Sequence, residues 1–244
     1  MNQVLELQNI TFTDKGIERI RNISLSIYAG EQIALLGASG AGKSTLISIA
    51  NGTITPTKGD VRWNGILVND LTNYQRNEIG TIWQDLRLIE ELNVGQNINT
   101  GALATHSLIW ALLNLLKDID INICQKYLNA VNLPLHYYKN RTINLSGGEK
   151  QRVAIAKLLR QKPKYLLADE PLANLDPYLS NHILKLLLCK KQFHNIGSPL
   201  TSLISLHQPE LINNFTRVIG LKEGRLILDC EPRLITESQL NSLY

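Results

Sequence analysis

The chain begins with residues that alternate between apolar and polar side chains, which is typical of half-buried strands. This pattern predicts strands at residues 3–10, 20–28 and 60–68. Asn64-Gly65 lies within the last of these segments and favours a tight hairpin turn. The sequence therefore predicts an antiparallel β region near its start.

A second pattern begins at residue 32, where a continuous apolar run enters a glycine-rich loop. Residues 43–50 beyond the loop have a helical composition, and the apolar runs at 165–168, 203–206 and 217–221 predict further buried strands. Because helical segments lie before or between these strands, we expect a mostly parallel sheet covered by helices. Residues 86–160 are mostly helical in pattern and are interpreted as a helical insertion.

The composition is that of a globular protein able to bury a sizeable core, with 44% hydrophobic residues among 244. The net charge of +4 is scattered, and Lys190-Lys191 is the nearest approach to a cluster, so a solvated surface is favoured over a nucleic-acid partner. The three cysteines, Cys124, Cys189 and Cys230, lie too far apart for a CxxC metal or redox motif. A reducing cytosol fits this usage.

No export signal or membrane span is expected from the sequence. The first twelve residues lack the basic start and apolar core of a signal peptide. The most apolar stretch, residues 108–123, is interrupted by Lys117, Asp118 and Asp120 and is too short to cross a bilayer. We therefore expect any membrane association to occur through a partner.

The glycine-rich loop matches the phosphate-binding pattern G-x-x-x-x-G-K-[ST] in its expected place between a strand and a helix. It consists of Gly37, Ala38, Ser39, Gly40, Ala41, Gly42, Lys43, Ser44 and Thr45. Such a loop points backbone N–H groups at one anion, and the helix N-terminus adds partial positive charge. Lys43 is expected to reach the β and γ phosphates of a nucleotide, and Ser44 to bind Mg²⁺. A plain glycine-rich turn is the alternative.

Two adjacent carboxylates, Asp169 and Glu170, follow the predicted strand at 165–168. Strand ends deliver side chains to one edge of a parallel sheet, where ligands bind. Asp169 is expected to hold the Mg²⁺ shell, and Glu170 to polarise an attacking water in phosphoryl transfer. By themselves these residues also fit a charged surface turn, but the phosphate loop upstream favours the catalytic interpretation.

Residues 145–152, Leu-Ser-Gly-Gly-Glu-Lys-Gln-Arg, resemble the signature sequence of ABC-type ATPases and open an amphipathic helix. Ser146, Gly147 and Gly148 form a second helix N-terminus able to approach an anion closely, although an ordinary N-cap is the alternative for these three alone. The resemblance implies ATP and Mg²⁺ as cofactors. It also implies a homodimer or paired ATPase subunits, in which one signature covers the γ-phosphate held by the partner's loop.

Three single residues fall where this family places its sensors, although each alone is typical of a surface or capping position. Gln84 resembles the glutamine that contacts Mg²⁺ or the attacking water, and Asp176 the cross-subunit contact at the nucleotide. His207 resembles the histidine that reads the γ-phosphate. The family often stacks an early aromatic residue on adenine, but Asp14 occupies that place, and Phe12 is either its substitute or a core or edge-strand side chain.

The resemblance runs from Leu5 to about Asp229 and implies an α/β P-loop NTPase fold with a RecA-like core and a mostly parallel sheet. An N-terminal antiparallel β subdomain and a helical signature subdomain complete it. We expect a single domain over 1–244, with 1–85 and 161–244 forming the nucleotide-binding core and 86–160 the helical subdomain.

Within the family, residues 204–210 and 217–225 and the insertion after Gln84 resemble the phosphonate-import branch. This implies uptake of phosphonate or a related phosphorus oxyanion, such as phosphite or phosphate. The implied partners are integral membrane permease subunits and a solute-binding protein, with the chain peripheral at the cytoplasmic face of the cell membrane and no nucleic acid bound. Another importer, an exporter or a soluble ABC ATPase are the alternatives.

Overall fold

The computed structural model describes residues 2–188, 196–197 and 199–244. Cys189 and the Lys190-Lys191 pair lie outside the described residues. The chain divides into two compact units, the first comprising Met1–Thr72, Leu166–Glu170 and Leu200–Tyr244, and the second Asn73–Tyr165 and Pro171–Pro199. The single domain with a helical subdomain at 86–160 stays a prediction.

The first unit contains an antiparallel sheet with the strand order β2-β1-β4-β5. Its strands are β1 (Gln3–Asp14), β2 (Ile17–Tyr28), β4 (Lys58–Trp63) and β5 (Ile66–Leu67). Asn64 and Gly65 join β4 to β5 with φ of 49° and 80°, the positive values that a two-residue hairpin of this kind requires. The antiparallel region predicted from the alternating pattern is confirmed.

The first unit also contains strands of a mostly parallel sheet in the order β10-β9-β3-β8-β7. They are β3 (Gln32–Leu36), β7 (Tyr165–Ala168), β8 (Thr201–Ser205), β9 (Arg217–Lys222) and β10 (Arg225–Cys230). β3 runs parallel to both β8 and β9, which explains its continuous apolar sequence, while β10 is antiparallel to β9. Helices α1 (Lys43–Asn51) and α8 (Glu237–Leu243) belong to the same unit.

The second unit is mainly helical, as the pattern of residues 86–160 predicts. It contains α2 (Asn73–Asn77), strand β6 (Ile79–Ile82), α3 (Val94–Thr100), α4 (Leu108–Leu116), α5 (Ile121–Ala130), α6 (Gly147–Gln161) and α7 (Pro177–Leu187). Helices α3 and α5 pack along α6, the longest helix described. Fully buried side chains such as Ile98, Leu128 and Val153 form its core.

Helix α4 has the reverse of the usual burial pattern of a surface helix, because its amide side chain is buried and its apolar side chains are exposed. Asn114 is its buried residue, and the Asn99 side chain donates to Asn114 Oδ1 across 2.9 Å. Its leucines and isoleucine point outward, with Leu108, Ile109 and Leu116 each more than 70% exposed. In the part of the chain that the structure describes, no helix combines the length and apolar character needed to cross a membrane.

Candidate functional site

The predicted phosphate loop leads from β3 into α1, as its sequence context requires. Gly42 precedes the helix with φ of 107°, and a Cβ at this position would lie 2.9 Å from Ile20 Cδ1. Only glycine meets both constraints without strain. Helix α1 begins without a side-chain cap and without an acidic residue in its first turn, so its N–H groups are oriented to bind an anion.

Lys43 folds back over its own loop. The side chain is 6% exposed, and its ammonium donates to the Gly37 carbonyl across 2.7 Å and to the Ala38 carbonyl across 3.1 Å. Burial lowers the pKa of Lys43, while the charges of Glu170 and Asp169 act in the opposite direction. The loop lysine and the two carboxylates predicted to act with it therefore interact electrostatically.

Ser205 links the two carboxylate residues. Its hydroxyl donates to Asp169 Oδ1 across 2.7 Å and accepts from the Glu170 backbone N–H across 2.8 Å. Asp169 is 3% exposed, and Glu170 adopts a left-handed backbone with φ of 51°, which is unusual for a residue other than glycine. This one hydroxyl therefore fixes both the orientation of Asp169 and the turn that presents Glu170.

His207 completes the cluster, because its Nε2 lies 2.5 Å from Glu170 Oε1. The imidazole is 51% exposed, whereas the Glu170 side chain is 17% exposed, so the histidine is the more solvent-exposed member of the pair. The first unit thus brings together four predicted site residues, namely Lys43, Asp169, Glu170 and His207. The sequence interpretation missed Ser205, although a hydroxyl at the end of an apolar buried strand is a usable signal.

The remaining predicted loop residue with a side-chain role, Ser44, is exposed in the first turn of α1. Phe12 is half-buried and lies opposite Ile20 in the β1–β2 register, and Ile20 is the side chain next to Gly42. Phe12 is thus one strand away from a neighbour of the phosphate loop, whereas Asp14 is exposed at the end of β1.

In the second unit, Ser146 caps α6 through a reciprocal capping box with Glu149. The Glu149 side chain accepts from the Ser146 N–H across 2.8 Å and from the Tyr137 hydroxyl across 2.7 Å. These two bonds, that of Tyr137 first, lower the pKa of Glu149. The signature segment therefore starts a well-anchored helix with Ser146 exposed at its tip.

The loop that carries Asp176 packs against the signature helix within the same unit. A Cβ at Gly148 would lie 2.6 Å from the Asn174 carbonyl oxygen, and the Gln151 side chain donates to the Pro171 carbonyl across 2.8 Å. Asp176 is exposed and caps α7 by accepting from the Leu179 N–H across 3.0 Å. Two predicted cofactor-binding segments thus form one local structure, while the cross-subunit role of Asp176 stays a prediction.

Gln84 is also a second-unit residue, exposed in the turn that follows β6. The turn is tight, with positive φ at Leu86 and Arg87, and the Arg87 guanidinium lies 3.7 Å from the centroid of the Trp83 ring. This cation–π contact orders the turn on one side of Gln84. The predicted contact of Gln84 with Mg²⁺ or water stays a prediction.

Comparison with known proteins supports what this geometry indicates. A family model described as ABC transporter matches residues 20–173. The chain is 36% identical over 249 residues to the phosphonates import ATP-binding protein of Wolinella succinogenes, covering 99% of this chain and 88% of that protein. It is also 36% identical to the protein of the same name in Thiobacillus denitrificans, covering 98% and 92%.

Among solved structures, the chain is similar to a dimeric post-hydrolysis state of an ATP-binding cassette bound to ADP and phosphate. The TM-score is 0.76 at 28% identity, over 95% of this chain and all of that one. The fold expected from the sequence, a P-loop NTPase with an antiparallel β region, is confirmed. Since the family model spans more than half of the residues and the relatives match nearly end to end, the chain belongs to the ABC transporter family.

Proposed function

We propose that this chain hydrolyses ATP as the energising subunit of an ABC importer for phosphonate or a related phosphorus oxyanion. The observation that carries the proposal is a cluster of side chains beside the phosphate loop. His207 contacts Glu170, and the Asp169 and Glu170 carboxylates attract the Lys43 ammonium at the uncapped start of α1. Relatives named phosphonates import ATP-binding protein, at 36% identity, support the direction and the class of solute.

In this proposal the phosphates of ATP are bound by the free backbone N–H groups at the start of α1 and in the loop before it, but not by the Ala38 N–H, which donates to the Leu243 carbonyl. Lys43 exchanges its bonds to the Gly37 and Ala38 carbonyls for bonds to β and γ phosphate oxygens. Glu170 accepts a proton from water as the water oxygen bonds to the γ phosphorus, and the bond from that phosphorus to the bridging oxygen breaks. The products are ADP and inorganic phosphate. His207 keeps Glu170 oriented, and the two side chains act as one unit at the γ-phosphate.

The donors near the loop fit Mg²⁺, because the Ser44 hydroxyl and the Asp169 carboxylate are hard oxygen ligands. Among the residues that the structure describes, no group of three or more His, Cys, Asp or Glu side chains is placed to hold a metal ion. A cation held by Ser44 and Asp169 would take its other ligands from phosphate oxygens and water, as Mg²⁺ commonly does. When bound, Mg²⁺ supplies charge neutralisation on the phosphates.

The active unit in this proposal is a head-to-tail pair with two ATP molecules at its interface. Ser146, Gly147 and Gly148 of one copy complete the site around the γ-phosphate bound by the other copy, and Asp176 makes a further contact across the interface. Two features support this arrangement: Ser146 and Asp176 are both exposed, and their segments are packed together through Asn174. The similar solved cassette is itself a dimer.

The proposed membrane partners are permease subunits. A solute-binding protein on the other side of the membrane delivers the solute to them. The second unit carries two features suited to contact with them, the exposed Gln84 turn and the outward-facing apolar side chains of α4. We expect a short permease helix to lie against this unit, with the chain peripheral at the cytoplasmic face. Cysteine crosslinks from Leu112 and Gln84 should reach the permease; permease crosslinks confined to β1 and β2 would contradict this docking.

The central experiment compares the wild type with Glu170→Gln. The variant keeps the shape of the side chain but cannot accept a proton, so ATP binding should persist while hydrolysis falls by about 10²- to 10⁴-fold. Wild-type turnover in the variant would overturn the assignment of the base. A growth test then shows which solute is imported. A strain carrying the chain and its permease is grown on phosphonate, phosphite or phosphate as the sole phosphorus source.

A further inference from the structure

A short segment far from the phosphate loop in sequence is hydrogen-bonded to it. The Ala38 N–H donates to the Leu243 carbonyl across 3.2 Å. One residue earlier, the Ser242 carbonyl accepts from the Lys222 ammonium across 2.6 Å. We call residues 236–244 the clamp segment; it comprises α8 with the residue before and the residue after it.

One buried apolar side chain anchors the clamp segment. Leu243 is the buried residue of α8, with no exposed surface, and a Cβ at Gly220 of β9 would lie 2.5 Å from Leu243 Cδ2. Gly220 therefore leaves the space that Leu243 occupies. A seven-residue helix is not stable by itself in water, so this anchor and the Lys222 bond decide where α8 lies.

Ala38, whose N–H donates to the clamp segment, organises the phosphate loop. Its carbonyl accepts from the Ala41 N–H and from the Lys43 ammonium, each across 3.1 Å. The loop is held again further along, where the Ala41 carbonyl accepts from the Gly224 N–H across 3.0 Å. A shift of the Ala38 backbone would therefore also shift the Lys43 ammonium.

We propose that the clamp segment positions the phosphate loop for ATP through the Leu243 carbonyl. This inference rests on the proposed ATPase function and names positioning residues for it. Three glycines make the loop costly to order, since glycine loses more backbone freedom than any other residue. A loop that is already ordered before ATP arrives binds more tightly, because part of that entropy cost has been met on folding.

The test compares Leu243→Ala with the conservative Leu243→Met. The alanine variant removes the anchor, so we expect KM for ATP to rise about three- to tenfold, the range for one hydrogen bond to the loop. The kcat value should change by less than about twofold, since Asp169 and Glu170 keep their contacts. Leu243→Met should restore most of the affinity, because it refills the space beside Gly220.

Lys222→Met provides a second route if Leu243→Ala fails to fold, since Lys222 is exposed and the substitution removes its bond to the Ser242 carbonyl; KM for ATP should rise here as well. Leu25→Ala is the matched control, a buried leucine of the same unit on β2. Hydrogen exchange of the Ala38 amide gives a readout independent of activity. We expect faster exchange in Leu243→Ala without nucleotide and protection similar to wild type with saturating ATP.

An unchanged KM with unchanged Ala38 exchange in folded Leu243→Ala would overturn the clamp role and leave the ATPase function standing. An equal rise of KM in Leu25→Ala would also overturn it, because the effect would then be one of general stability. Absence of ATP hydrolysis by the wild-type chain would instead remove the proposed function on which the inference rests.

Discussion

The Ser205 hydroxyl donates to Asp169 Oδ1 across 2.7 Å while accepting the Glu170 backbone N–H. A side chain buried in β8 thereby sets the geometry of both acidic residues at the end of β7. Ser205 is fully buried and does not reach the solvent where substrate arrives. Its role is therefore positioning rather than chemistry.

Ser205→Ala should lower the affinity for Mg²⁺ and slow hydrolysis together. Residues that orient a metal-binding carboxylate typically contribute about 10- to 100-fold in metal affinity or activity, and we expect the half-maximal Mg²⁺ concentration to rise within that range. Ser202→Ala is the control, because its hydroxyl is buried in the same strand without a hydrogen-bond partner in the described residues. Equal losses in both variants would show that the effect comes from the strand and not from Asp169.

His207 and Glu170 should behave as one functional unit, because their side chains are in direct contact. His207→Ala alone is expected to lower kcat by about 10²-fold, since Glu170 loses the partner that orients it. The double variant His207→Ala with Glu170→Gln should then have a kcat close to that of Glu170→Gln alone. Single-turnover hydrolysis of the wild type, both single variants and the double variant measures this coupling. Losses that multiply would indicate independent roles.

The local pattern was enough to predict the apolar strand β3, the Asn64-Gly65 hairpin and the phosphate loop between β3 and α1. These features depend on neighbours in sequence. The Ser205 bridge joins residues 35 and 36 positions apart, and the Leu243 contact joins the first and last chain segments of the first unit, so no local pattern encodes them. Strand β10 has a mixed burial pattern at the edge of its sheet, which gives no clear period.

The burial of helix α4 could not be predicted from its own sequence either. An apolar helix without charges is normally buried, yet here an amide, Asn114, faces inward and the leucines face outward. In the proposed function, the exposed apolar side chains of α4 face the permease, so its pattern would reflect a partner as well as the fold. The sequence of one chain does not separate these two demands.

The close approach of Gly148 to the Asn174 carbonyl predicts a difference between adjacent glycines. Gly148→Ala places a methyl group 2.6 Å from that oxygen, so the Asn174 loop must shift, and overpacking of this kind costs about 1–3 kcal/mol. At Gly147 the nearest atom is 3.4 Å away, and Gly147→Ala should leave the free energy of unfolding unchanged or slightly raised. Urea unfolding of the two variants tests this, and equal stability would contradict the packing argument.

The bond between Tyr137 and Glu149 predicts a stability that depends on pH. The Tyr137 hydroxyl is the first cause of the lowered pKa of Glu149, whose ordinary value is 4.5. A carboxylate with a lowered folded pKa contributes stability that is present above its ordinary pKa and is lost as pH falls through the folded value. Tyr137→Phe should therefore lower Tm at pH 7, and the difference from wild type should shrink as the solution becomes more acidic than the folded pKa.

Tyr178→Phe is a suitable control, since that tyrosine is 77% exposed on α7 of the same unit. It should leave Tm unchanged at every pH. Thermal unfolding followed by circular dichroism between pH 7 and acid conditions provides the measurement. If Tyr137→Phe lowered Tm by the same amount across the whole range, the contribution of the hydroxyl would not depend on the charge of Glu149, and that charge would have no part in anchoring the start of the signature helix.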